Sequence, residues 1–110
     1  MARMTSRSTV DKQEAYHRLA DIFGCKWTLA IIDAIRHDVR RPGQIRRRLP
    51  DLSAKVLNER VSKLERYGLI RKHRFDGRVP HVEYELTDLG KQLLPVIEAA
   101  ADFANSCVEP

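Results

Sequence analysis

"PDLSAKVLNERVSKLERYGLI", residues 50–70, decides the architecture. Ser53 is a good N-cap, because its hydroxyl oxygen accepts from the open amides of a first helical turn. Leu57, Val61 and Leu64 follow at i, i+4 and i+7 and make one apolar stripe. Gly68, after Tyr67, supplies the C′ position that ends the helix. At about 100° per residue, Lys55, Glu59, Ser62 and Arg66 fall opposite that stripe, with Asn58 and Lys63 on its flanks. A helix over Ser53–Tyr67 thus has a thin inner side and a mixed, charged outer one. The outer side is either plain solvent surface, with Glu59 paired to Lys55 or Lys63 at i±4, or a contact face.

On the N-terminal side, "QIRRRLP" places Ile45 and Leu49 at i, i+4. It predicts a short helix with Arg46, Arg47 and Arg48 outward, ended by Pro50. Before it, Lys12–Phe23 has helical apolar spacing (Ala15, Tyr16, Leu19, Ile22, Phe23) and stops at Gly24. Lys26–His37 is apolar nearly all round, which predicts the central buried helix, with Trp27 in the core. On the C-terminal side, "LIRKHRF" and "HVEYELT" alternate like strands around "DGRVP". Asp76-Gly77 is a type I′ hairpin signal, and Pro80 leaves room for a longer loop. Thr87 caps a last helix over about 88–105, which contains Pro95.

The predicted fold is mainly α with a small β-hairpin (α+β): a winged helix-turn-helix, with "PDLS" as the turn. One domain spans residues 11–106, between polar tails at 1–10 and 107–110. The last helix carries more apolar surface than one small domain covers, which points either to a second copy of the chain or to packing on its own domain. The dimer reading places Tyr16, Leu19, Leu93, Leu94, Ile97, Ala100, Ala101, Phe103 and Ala104 in the seam.

Charge adds a partner. The 110 residues carry a net +5. Residues 36–78 hold fourteen basic and five acidic side chains, a local +9, whereas residues 79–110 sum to −5. A basic block between neutral and acidic parts suits a polyanion. An α-helix fits the major groove of double-stranded DNA, and its outer residues reach base edges. Lys55 suits guanine, Asn58 adenine and Glu59 cytosine, while Ser53 and Ser62 suit phosphate or base. Arg46, Arg47 and Arg48 lie where backbone phosphates would pass, and Lys63, on the flank of the helix, joins the DNA-binding candidates. Arg74 and Arg78 flank the hairpin tip and suit a neighbouring minor groove.

Other classes find little support. There is no G-x-S-x-G, no phosphate-cradling glycine loop and no metal-spaced His/Cys set, so no enzyme, cofactor or metal is expected. Glu83 and Glu85 share one face of the second strand and read as its solvated side. Cys25 and Cys107 are too few and too far apart for a disulfide scaffold. No apolar run approaches a membrane span, and a reducing cytoplasm is the expected setting. A winged-helix module for protein–protein contact is the alternative to a DNA reader.

Three segments resemble the HxlR-type winged-helix transcription regulators, relatives of the MarR group: "GCKWTLAII", "RRRLPDLSAKVLNERVSKLERYGLI" and "RVPHVEYELTDLGKQLLPVIEAAADFA". The likeness covers about residues 11–104. It implies a bacterial or archaeal cytoplasmic regulator, a homodimer joined through the first and last helices, and Ser53–Tyr67 as recognition helix. Two departures stand out. Cys25 replaces the second glycine of the family's Gly-Gly-Lys-Trp. Glu14 stands near where many members carry a cysteine that some use to sense oxidants. Redox sensing is therefore not carried over directly, while a small-molecule or redox effector stays among the expected partners. Cys25, beside Lys26 at a helix start, is the candidate thiol here.

Overall fold

The computed structural model describes residues 12–24 and 26–107. Five helices and one hairpin follow in the expected order: α1 Lys12–Phe23, α2 Thr28–Arg36, α3 Pro42–Arg48, α4 Ala54–Arg66, β1 Ile70–Phe75, β2 His81–Leu86 and α5 Asp88–Ser106.

One core holds α2, α3, α4 and the hairpin. Ile31 and Ile32 of α2, Ile45 of α3, Leu52 of the turn and Leu57, Val61 and Leu64 of α4 are almost wholly buried together. Tyr84 and Leu86 close the cluster from β2, with Leu69 and Ile70 from the start of β1. Each such side chain contributes about 1.5–3 kcal/mol by leaving water. Trp27 is half-buried at the edge of this core rather than inside it, and the Lys26 ammonium lies 5.0 Å from its ring centroid.

Local signals set the boundaries. Ser53 Oγ accepts from Val56 N at 3.1 Å, the capping bond its position predicts. α4 ends in a Schellman motif: Gly68 N donates to the Glu65 carbonyl and Leu69 N to that of Leu64, with Gly68 at φ 77°. α2 ends in the same motif with Asp38 (φ 66°) in the glycine place, where Asp38 N donates to Ile35 O and Val39 N to Ala34 O. Thr87 joins three elements. Its hydroxyl donates to Gly68 O at 2.6 Å and accepts from Gly90 N at 3.0 Å, and its amide donates to Leu69 O.

The hairpin is antiparallel, from Ile70 opposite Leu86 to Phe75 opposite His81. Its loop has five residues, 76–80, and neither Asp76 nor Gly77 has positive φ, so the type I′ Asp-Gly turn does not form. The Phe75 and His81 rings stack 4.8 Å apart at the end of the ladder, where a two-residue turn would instead pair Phe75 with Arg78. Tyr84 N also donates to Arg40 O at 2.9 Å, tying β2 to the α2–α3 linker.

α5 runs unbroken through Pro95, and everything on it from Glu98 to Ser106 is exposed. The radius of gyration is 16.2 Å, above the roughly 13 Å of a compact 100-residue chain. Among the described residues no helix is long and apolar enough to cross a membrane.

Gly90 marks the tightest approach, where α5 begins against the chain entering β1. A Cβ there would collide with the Leu69 carbonyl oxygen and stand 3.0 Å from its carbon. Gly90→Ala is expected to cost about 1–3 kcal/mol, an overpacking penalty against backbone that cannot yield. Urea unfolding measures it, and a wild-type midpoint would contradict the close approach.

Candidate nucleic-acid interface

The interface starts from α3 and the turn. Ile45 is buried, so the rest of α3 points outward with Arg46, Arg47 and Arg48 exposed. Arg46 gives its Nε proton to Leu52 O at 3.2 Å, so this guanidinium also braces the turn. Arg47 makes only a long contact to Gly43 O, 3.5 Å, and Arg48 pairs with Asp33 of α2 at 3.7 Å.

α4 then presents its outer side. Lys55, Asn58, Glu59, Ser62 and Arg66 are all exposed, and no hydrogen bond or ion pair to another described residue engages any of them. The i±4 pairs within α4 do not form. Ser53 is exposed as well, but its side-chain oxygen serves the cap. Lys63 stands apart from this group. Its ammonium donates to Asp21 Oδ1 of α1 at 2.7 Å, because its flank of α4 abuts α1. Tyr67 donates its hydroxyl proton to Asp21 Oδ2 at 2.5 Å.

These bonds set the titration of the cluster. Hydrogen bonds from Lys63 and Tyr67 hold the Asp21 carboxyl below its ordinary 3.8, and Asp21 in turn raises the Tyr67 phenol above 10.0. A lowered carboxylate stabilises the fold above its unfolded value and loses that contribution as pH falls through the folded one.

In the wing, Arg74 and Arg78 are exposed. Glu83 and Glu85 are not the plain solvated side of β2. Glu85 accepts from His73 Nε2 at 2.7 Å and lies 3.6 Å from Arg40. Glu83 lies 3.1 Å from His81 and 3.6 Å from Arg41. The His73 bond, then the charges of His73, Arg40 and Arg71, keep the Glu85 carboxyl below its usual range. The linker arginines cover this face because Arg40 is already bonded to β2 through its carbonyl. Strand alternation shows a polar face but not what lies across it.

The expected dimer residues divide into two stripes on α5. Leu93, Leu94 and Ile97 are half-buried against the chain's own core. A shallow groove lined by Leu29, Ala30, Ile97, Ala100, Ala101 and Ala104 continues that contact towards α2. On these two helices the large apolar groups left exposed among the described residues are Leu89, Val96 and Phe103 (71% exposed) on α5, and Tyr16 (59%) and Leu19 on α1. Leu89, Leu93, Val96, Ala100 and Phe103 recur at alternating steps of four and three, the apolar spacing that suits helix pairing. Leu89 and Val96, both exposed, lie outside the seam expected from sequence. Arg60, also outside that reading, lies half-buried on α4 with an Nε that meets no partner. Cys25 lies outside the described residues. Cys107 is exposed and free. No cluster of metal ligands occurs among the described residues.

A braced turn, a helix with an unengaged polar outer side and a basic hairpin define a winged helix-turn-helix of the transcription-regulating class. The chain belongs to the HxlR-like helix-turn-helix family, which it matches over residues 22–110. It is 30% identical over 95 residues to YvaP, an HTH-type transcriptional regulator of Bacillus subtilis (strain 168), covering 86% of this chain and 88% of that one. A solved MarR-family regulator from Porphyromonas gingivalis W83 superposes with a TM-score of 0.72 at 36% identity, over 84% of this chain and 91% of that chain. The redox regulator HypR in its reduced form gives 0.74 at 25% identity, over 84% and 91%. This is a family of transcriptional regulators and not of enzymes.

The Asp21 cluster predicts a pH signature. Wild type should be more stable than Asp21→Asn at pH 7, and the gap should close as pH falls below 3.8. Paired thermal melts across that range measure it; a constant gap would mean that the carboxylate charge does not carry the contact.

Proposed function

We propose that the protein is a homodimeric, sequence-specific regulator that reads a pseudo-palindromic operator in cytoplasmic DNA, as a repressor or as both activator and repressor. The supporting observation is the outer side of α4, where Lys55, Asn58, Glu59 and Ser62 are exposed and unengaged. In a free-standing surface helix, i±4 charges such as Lys55 and Glu59 gain by pairing with each other. Left open on a helix whose far side is fixed in the core, they suit base edges in a major groove. Arg46 and Arg47 then meet the backbone, and Arg74 and Arg78 meet the flanking minor groove. The 4-3-4-3 seam on α5, with Tyr16 and Leu19 of α1, forms the two-fold contact. That symmetry sets half-sites about one helical turn, or a small multiple, apart.

The effector reading rests on Cys25 and on likeness to a protein named as a redox regulator. Oxidant that releases DNA from wild type but not from Cys25→Ser would identify the switch.

On a duplex selected by the wild-type protein from a random pool, Lys55→Ala or Asn58→Ala should cost about 1–3 kcal/mol and relax preference at one position. Equal losses on selected and scrambled duplexes would remove the residue from base reading. Arg78→Ala should weaken both duplexes and reduce the log–log salt slope by about one unit; an unchanged slope excludes it from the contacts. Binding that is weak and insensitive to salt would favour the protein–protein module instead.

The seam is tested separately. Val96→Glu with Phe103→Glu changes exposed groups only, so the domain should remain folded while the dimer dissociates. Sedimentation equilibrium showing dimers would move the contact off this stripe.

A further inference from the structure

We infer that Asp21 of α1 is the positioning residue for the recognition helix: its carboxylate holds α4 by two points on one flank and thereby fixes how α4 is presented to DNA. The inference rests on the DNA and dimer readings above and extends them to a residue outside the contact surface.

The geometry is specific. Lys63 and Tyr67 are four residues apart on α4, one turn along its axis, and reach different oxygens of one carboxylate, Oδ1 and Oδ2. A single bond leaves a helix free to roll or tilt about it. Two bonds spaced by about 6 Å along the axis restrain both motions. The anchor is α1, which carries the uncovered Tyr16 and Leu19 of the expected dimer contact. Tyr67 itself stands where three helices meet. Its ring borders one groove with Asp21 and Arg18 of α1, and another with Leu89 and Leu93 of α5. The bonds therefore run from the elements of the two-fold contact to the last turn of the recognition helix. In a dimer, that joint sets the separation and angle of the two recognition helices, and so the half-site spacing that both can fit.

It also removes Lys63 from the DNA-facing set. Held at 2.7 Å by a carboxylate, its charge is compensated on the α1 side. The selectivity of α4 is then carried by the outer residues and is not diluted by one more phosphate-seeking cation.

The test compares wild type, Asp21→Ala and Tyr67→Phe on three duplexes. These are one selected from a random pool by the wild-type protein, the same duplex with one base pair inserted at its centre, and a scrambled duplex. Wild type should discriminate against the inserted base pair, which rotates one half-site by about a tenth of a turn. Asp21→Ala should lose about tenfold of that discrimination, the worth of one good base contact. Its affinity for scrambled DNA should hold, with the salt slope of wild type. Tyr67→Phe, which keeps the Lys63 bond, should lose part of the discrimination with no change in slope.

A purely structural role would lower all three affinities together and leave their ratios at wild-type values, and that result overturns the inference. Unchanged spacing discrimination in both variants overturns it as well. If wild type binds none of the duplexes, the DNA reading fails and this inference with it. If wild type discriminates and the variants match it, only the role of Asp21 fails.

Discussion

Burial of one side of α4 is the constraint on which the other features depend. Leu57, Val61 and Leu64 sit at 2% exposure or less against Ile31, Ile32 and Ile45. That contact, worth several kcal/mol over three side chains, fixes a 13-residue helix that has no other reason to be stable in water. Its outer side is then free to carry Lys55, Asn58, Glu59 and Ser62 without partners among the described residues. A helix held by its own surface ion pairs has to spend those groups on stability. Here the core supplies the stability and the surface chemistry stays available.

Polar joints around that core decide direction. Thr87 binds the end of α4 to the start of α5, and Arg46 braces the turn through Leu52 O. Asp21 ties the flank of α4 to α1, while Arg40 and Arg41 tie the wing to the α2–α3 linker through Glu83 and Glu85. Individually, exposed pairs of this kind contribute little stability. Each joins two different elements at the margin of the apolar core. The same economy governs α5, where one stripe packs on the chain's own core and the next stays uncovered.

Much of this was legible in residue order. Ser53, Gly68 and Thr87 announce their helix ends because capping is chemistry between residues a few positions apart. The strand runs are legible for the same reason, and the longer loop that Pro80 leaves room for forms in place of the tight turn that Asp76-Gly77 prefers. That local preference lost to the stacking of Phe75 on His81, six positions apart across the ladder. The charge and flank position of Lys63 suggest a DNA contact, but they do not show its bond to Asp21, 42 residues away. Glu83 and Glu85 read as solvated because nothing in β2 itself shows that two arginines of the linker lie over them.

The sequence by itself determined which segments are helix or strand, which stripe of each is apolar and where positive charge concentrates. Periodicity, caps and composition act over a few residues and leave their pattern in one dimension. Tertiary structure alone decided which charged groups are engaged, which half of α5 stays uncovered and how α4 is held. These outcomes depend on pairs such as Asp21 with Lys63, or Arg40 with Glu85, that chain order keeps far apart and only the packed core brings within bonding distance.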